Sequence, residues 1–319
     1  MLSQVAKRLL SIIPLLFLVS IILFFLISFL PGNVVEMLLS AEGGSITTVR
    51  SLEESLGFNK PIYEQYFMWL TNVFKGNMGT SYLAKMPVVD AIILRLPVSF
   101  ELMILAMVFG IIVGLPLSVV CAVKRNTIID YIISTVSVLG VATPSFFLGI
   151  LLVYFFSIII HILPASGYVP FFEDPIRNLT VMVLPVLSIG IAFMASLVRQ
   201  TRSALLEVLN QDYILTAKAK GLQGWVVLWK HALRNAMIPV ITVISMQIGR
   251  MIGGAVIAET VFLLPGMGKL LVDGINTRDY PLVMAQILFL ALVIILVNTA
   301  VDIIYLFIDP RISHSGEAK

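Results

Sequence analysis

Six stretches of the chain stay apolar for about 20 residues or more, near 9–30, 98–123, 131–160, 179–198, 237–258 and 282–308. An α-helix of that length spans roughly 30 Å of hydrocarbon, so the pattern predicts an all-α membrane protein with six transmembrane helices. The first run follows Lys7 and Arg8, as a signal peptide would. It is too long for a signal's apolar core, and Ser28-Phe-Leu30 before Pro31 makes a poor cleavage site, so it reads as a retained helix.

Between the apolar runs, the distribution of cations orients the chain. Six crossings put both ends on one side, which carries Lys7, Arg8, Lys124, Arg125, Arg199, Arg202, Lys218, Lys220, Lys230, Arg234, Arg311 and Lys319. The other side holds Arg50, Lys60, Lys75, Lys85, Arg95, Arg177, Lys269 and Arg278, diluted over more residues and mixed with most of the acidic ones. Excess Lys and Arg mark the cytoplasmic face, so both termini and the 200–236 loop are expected in the cytoplasm. The expected organisation is an N-terminal tail and first helix (1–30), an extracytoplasmic cap (31–96), a core of helices two to six (97–308) and a cytoplasmic tail (309–319).

Within the cap, Thr47 or Thr48 can start a short helix carrying Arg50, Glu53 and Glu54, and a second helix is predicted over Ile62 to Phe74. Tyr66, Trp69, Leu70 and Phe74 recur there at helical spacing and form an aromatic face, after which Gly76, Gly79 and Ser81 suit a turn. The segment Glu259 to Pro281 contains Pro265-Gly-Met-Gly268 and Arg278-Asp-Tyr-Pro281, a density of Gly and Pro that predicts a bent, non-helical path. Its Val261, Phe262, Leu263 and Leu264 would be costly if fully wetted, so part of it is expected to enter the bundle or meet another protein.

The polar island from Asp212 to Pro239 interrupts this apolar chain. Its Lys218, Lys220, Lys230 and Arg234 would each cost roughly 2.5 to 3.5 kcal/mol at a bilayer centre, so the segment lies in water. Tyr213-Ile-Leu-Thr-Ala-Lys-Ala-Lys-Gly-Leu222 is helix-compatible, basic and small-faced, which suits a docking element.

Composition agrees with a membrane protein: mean hydropathy is +1.02, with 59% hydrophobic and 12% charged residues, where about a quarter charged is usual for a soluble domain. The single cysteine, Cys121, excludes an internal disulfide framework and thiolate metal clusters. His161, His231 and His314 lie in separate segments and form no metal pair. Ser166-Gly167 lacks the glycine spacing of a nucleophile elbow, and Gly268-Lys269 lacks the upstream glycine of a phosphate loop. No enzyme site emerges, and any ATP must bind another chain.

Charges inside the apolar runs are rare and tend to face a bundle interior or an aqueous path. Arg250 is placed roughly 12 Å, and Glu101 roughly 6 Å, deep from the outer side of the membrane, within reach of a long side chain. Two readings stand: an Arg250–Glu101 structural pair, or an Arg250 that faces a substrate route and meets an anionic group. Gln247, Arg250 and Gly254 form one polar line, the candidate pathway face, beside a small-residue line of Ser245, Gly249 and Gly253 that favours close helix packing. Asn298 and Asp302, one turn apart, are expected to tie helices together.

These features resemble the permease subunits of ATP-binding-cassette importers, in the dipeptide, oligopeptide and nickel branch. The resemblance is carried by Asp212-Tyr213, Thr216 to Leu222 and His231-Ala-Leu-Arg-Asn-Ala236 with Pro239. Of the general coupling motif, Glu-Ala-Ala with a glycine four residues on, only Ala217 and Gly221 match. The branch likeness covers nearly the whole chain, through Leu56-Gly57, Pro61, Gln65-Tyr66, Trp69-Leu70, Gly76, Gly79 and Ser81-Tyr82. It continues in Glu259-Thr-Val-Phe262, Pro265-Gly-Met-Gly268, Arg278-Asp-Tyr-Pro281 and Asn298…Asp302…Tyr305…Asp309-Pro-Arg311.

The resemblance implies a type I importer permease, multi-pass in a bacterial or archaeal cytoplasmic membrane, that binds no cofactor itself. ATP and Mg would sit on two ATP-binding partner subunits. A second homologous permease, an extracytoplasmic solute-binding protein and membrane lipid complete the implied partners; nucleic acid is not among them. Asp212, Tyr213, Thr216, Ala217, Ala219, Gly221 and Leu222 would form the coupling helix, with Ala217 and Gly221 providing a bulk-free side for the ATPase. Glu259, Phe262, Pro265, Gly266 and Gly268 would contact the binding protein or a gate. The cargo implied is a di- or oligopeptide, with nickel or a metal chelate as the alternative. An ion-coupled secondary transporter is the rival class; its candidate titratable groups, Glu101 and Asp302, lie at opposite faces and no matched broken helices are predicted.

Overall fold

A computed structural model describes residues 2–29 and 60–308. The elements are α1 (Leu2–Ser28), α2 (Ile62–Phe74), a two-stranded antiparallel ribbon β1 (Thr80–Ser81) and β2 (Met86–Pro87), α3 (Val88–Val123), α4 (Ile128–Ala142) and α5 (Ser145–Leu152). A π-helical stretch Val153–Ile159 extends α5. Then follow α6 (Pro175–Leu209), α7 (Asp212–Ala219), a π-helical stretch Val227–Leu233 that leads into α8 (Arg234–Val261), α9 (Met267–Asn276) and α10 (Tyr280–Ile308).

Five of these segments are long and apolar enough to cross a membrane: Leu10–Ser28, Val88–Val123, Pro175–Leu209, Pro239–Val261 and Tyr280–Val301. The third apolar run is not the straight span expected over 131–160. It is broken into α4 and α5, which meet at 106°. Pro144 explains the break, because its ring drives Thr143 out of the helical region: Thr143 (ψ 123°) and Pro144 (ψ 137°) are both extended. Among the described residues, a sixth crossing exists only if this bent pair counts as one.

Among the described residues the chain forms two compact units, one drawn from Met1–Pro97 and Leu270–Leu296, the other from Val98–Lys269 and Val297–Lys319. In the first, α2 has the predicted bounds, while the expected Thr47 or Thr48 helix lies outside the described residues. Tyr66 is buried among Phe17, Phe24 and Trp69, and its hydroxyl meets Ser20 Oγ at 2.9 Å. Gly76 and Gly79 take the positive φ that the turn after α2 requires. Residues 88–96, expected in the cap, begin α3.

Asp279, 1% exposed, holds the ribbon: it accepts from Ser81 Oγ (2.7 Å), Leu83 N (2.9 Å) and Leu282 N (3.3 Å). Burial, and then the nearby Asp279 carboxylate, push the Tyr82 phenol up, so it stays neutral.

In the second unit α6 is the central helix, with 72% of its apolar window buried against 28% for α3 and 33% for α8. Leu184, Ile189, Phe193 and Leu197 of α6 form one core with Leu102 and Ala106 of α3 and Val240, Met251 and Ala255 of α8. Asp174 caps α6 by accepting from Arg177 N, and Pro175 opens its first turn, where no donor is needed. The predicted non-helical path after Glu259 also gives way, since α9 occupies Met267–Asn276. Met267, Leu270 and Gly274 are buried at helical spacing, and that periodicity outweighs the local Gly content.

Candidate functional site

The polar island folds as a hook on a small core of its own. Ile214 and Ala217 of α7 are buried with Ala122, Ala204, Leu205, Val227, Ala232 and Ala236. Asn235 Nδ2 donates to Tyr213 Oη at 2.8 Å, fastening the hook to the start of α8. Because Ile214 and Ala217 face inward, the opposite side of α7 presents Asp212, Leu215, Thr216 and Ala219, all exposed. Ala217 was expected on the outward, bulk-free side; it is 8% exposed and packs on its own chain. The small outward residue is Ala219.

Gly221 ends the hook for a conformational reason. Its φ is +79°, and nothing lies within 4 Å of where a Cβ would stand. Gly221 N donates to Lys218 O (2.9 Å) and Leu222 N to Ala217 O (3.4 Å), so the glycine turns the chain out of the helix in the left-handed region.

Above the hook, α6 and α8 flank a cavity of about 850 Å³. Ile189 touches Gly254 at one end, while Ala204 and Leu205 share a core with Ala236 at the other, so the two helices run antiparallel. The expected pathway residues Gln247, Arg250 and Gly254 all line the cavity. From α6 come Ser196, Arg199, Gln200, Ser203 and Glu207, and Ser145 joins them from the start of α5. The α6 residues recur at three- and four-residue intervals, which puts one polar stripe down the C-terminal half of a helix otherwise buried in apolar contacts. That spacing is visible in the sequence, where charge alone marks Arg199 and Arg202 only as cations of the cytoplasmic side.

Arg250 and Glu101 do not pair. Tyr168 Oη donates to Glu101 Oε2 at 2.8 Å, and Arg250 Nη1 lies 3.5 Å from Gln247 Oε1. Burial, and then this bond to Glu101, push the Tyr168 phenol up, so it remains the donor. The buried ion pair sits elsewhere: Arg202 Nε and Nη2 donate to Asp130 Oδ1 (2.7 Å) and Oδ2 (2.8 Å). Asn126 N (3.0 Å) and Ser134 Oγ (3.3 Å) complete the carboxylate's bonds, binding the start of α4 to α6.

The Glu259 to Gly268 residues expected as contact points are internal. Glu259 is fully buried and accepts from Ser99 Oγ (2.6 Å), Gly268 N (2.6 Å) and Lys269 N (3.0 Å). A carboxylate there satisfies the free N–H groups opening α9. Gly266 and Gly268 are needed because a Cβ would strike the Glu259 carboxylate and the Val256 backbone respectively. Phe262 is 1% exposed and packs against Gly149, while Pro265 is half-buried. These five residues therefore staple α8 to α9 and offer little surface to a partner in this conformation.

Among the described residues, Gly249 and Gly253 have open space where a Cβ would stand, while Ser245, the third member of the small-residue line, is buried. Asn298 is exposed, and the side chain of Asp302 lies outside the described residues.

The chain has counterparts among known proteins in sequence and in overall fold. A peptide transport system permease protein of Brucella suis biovar 1 (strain 1330) is 40% identical over 314 residues, 98% of this chain and 100% of that one. The glutathione transport system permease protein GsiC of Escherichia coli (strain K12) is 39% identical over 315 residues, with 98% and 100% covered. Among solved structures, the MetNI methionine ABC transporter in inward-facing conformations has a chain that aligns with a TM-score of 0.56 at 16% identity, covering 69% of this chain and 97% of that one. An amino acid ABC transporter solved with histidines aligns at 0.51 and 14%, covering 68% and 94%. At those identities the likeness is one of fold, that of ABC transporter permeases. Residues 1–103 match the N-terminal region of a binding-protein-dependent transport system membrane component. Residues 114–314 match the remainder, and the chain belongs to the family described as binding-protein-dependent transport system inner membrane component.

Proposed function

We propose that this chain forms half of the translocation pathway of an ATP-driven importer of short peptides. The observation that carries this is the shared foundation of hook and cavity. α7 is packed onto the ends of the same two helices, α6 and α8, whose polar faces line the 850 Å³ cavity. A force applied to the exposed side of α7 is thereby passed to the cavity walls through Leu205, Ala236 and the Tyr213–Asn235 bond.

Two ATP-binding subunits, carrying ATP and Mg, would supply that force by favouring one conformation of the membrane helices over the other. A second permease would complete the pathway. An open stripe on α8, where Met246, Gly253 and Ile257 are exposed around Arg250, suits such a neighbour. An extracytoplasmic binding protein would deliver the cargo, and both termini would lie in the cytoplasm. The names of the relatives favour a peptide over nickel.

The test is uptake of a labelled tripeptide into proteoliposomes holding both permeases, both ATP-binding subunits and the binding protein. Uptake that requires ATP and all components is expected. Uptake by this chain alone under an ion gradient would instead establish the secondary transporter.

A further inference from the structure

We propose that the cavity between α6 and α8 carries an anion subsite, built by Arg199 and Arg250, that takes a carboxylate group of the cargo. The proposal rests on the importer reading above and adds the chemistry of what passes.

Arg199 and Arg250 both line the cavity, and among the described residues neither is bonded to a carboxylate. Arg202, one turn from Arg199, shows how this chain neutralises an arginine that serves structure: Asp130 grips it with two bonds. Both arginines are exposed, as charges on membrane helices are where they face an aqueous path. Nearby Ile189, Phe193 and Met251 give part of the wall a low polarity, which strengthens the pull of the guanidiniums on an anion.

The rest of the lining agrees in sign. Ser145 stands at the first turn of α5, whose N–H groups have no acceptor within the helix. Ser196, Gln200 and Gln247 offer neutral hydrogen-bonding groups that suit amides. Among the described residues the one carboxylate in the lining, Glu207, is eight residues beyond Arg199 on α6, roughly 12 Å away along the helix. The described lining therefore carries two cations against one carboxylate, a balance that suits a free carboxylate and disfavours its amide.

The experiment compares trialanine with trialanine amide in the complete assembly, as the ratio of initial ATP-driven uptake rates, acid over amide. The same binding protein serves every variant, so its own preference cancels. Arg199→Gln and Arg250→Gln are each expected to lower the ratio by about tenfold, the worth of one charge-assisted hydrogen bond. Arg250→Lys should keep most of it. Ratios within twofold of wild type in both Gln variants, with uptake still ATP-dependent, would overturn the subsite and leave the importer reading intact.

A second arm needs no transport. Ala192→Cys, in the cavity wall, is labelled in a Cys121→Ser background with negatively and positively charged methanethiosulfonates, each rate normalised to a free thiol. Faster reaction with the anionic reagent, lost in Arg250→Gln, is expected. Equal rates in the protein with both arginines would overturn the proposal even if neither tripeptide were carried, an outcome that on its own would count against the importer reading.

Discussion

Arg202→Met and Asp130→Asn break the same ion pair, and their effects should differ. The Asp130 side chain is 3% exposed, whereas that of Arg202 is 27% exposed and partly wet. Removing Arg202 strands a buried carboxylate with one backbone N–H at 3.0 Å and one long hydroxyl bond at 3.3 Å. Breaking a buried pair in that way costs about 3 to 5 kcal/mol. Asp130→Asn keeps the shape and leaves a guanidinium that water can reach, for a loss of about 1 to 2 kcal/mol. Replacing both together should recover part of the larger loss, with a coupling of about 1 to 3 kcal/mol. Thermal unfolding of the detergent-solubilised protein, followed by tryptophan fluorescence, measures all three. An Asp130→Asn variant as unstable as Arg202→Met, or additivity within about 0.5 kcal/mol, would refute the asymmetric burial on which the reasoning depends.

Gly221→Asn should retain most ATP-driven uptake and Gly221→Val should lose most of it, because Asn tolerates the left-handed conformation and a β-branched residue does not. Equal damage by both would mean that the glycine is required for close approach of a partner. Gly268→Ala, with its Cβ against the Val256 backbone, should lower stability by about 1 to 3 kcal/mol in the same unfolding assay; an unchanged midpoint would show that α9 is free to shift. Gly253→Leu projects into open space and should leave the chain's own unfolding within about 0.5 kcal/mol while reducing co-purification of the second permease. Normal recovery of the pair would remove the α8 stripe from the interface.

The long apolar runs and the cationic loop were legible because each obeys one local rule: length against bilayer thickness, or charge against insertion cost. The predicted bounds of α2, Ile62 to Phe74, coincide with the helix, since an aromatic face at helical spacing is also a local signal. What escaped were choices between partners. Glu101 was in reach of Arg250 by depth alone, yet it bonds Tyr168, whose position depends on the loop before α6. Asp130 was overlooked because its charge is balanced by Arg202, 72 positions away. Glu259 and its glycines had the composition of an exposed contact loop, but their purpose is to close a turn around a buried carboxylate. Small size has a different cause at Ala217 and at Gly221: one packs inward, the other takes a positive φ.

Whether an ATP-binding subunit grips the outward side of α7 is decided by cross-linking in the complete assembly. With Cys121→Ser as background, a thiol at exposed Ala219 should be joined by a short bifunctional reagent to an ATP-binding subunit, and a thiol at inward-facing Ala217 should not. Cross-linking from position 217 with none from position 219, or from neither while the assembly transports, would contradict the account.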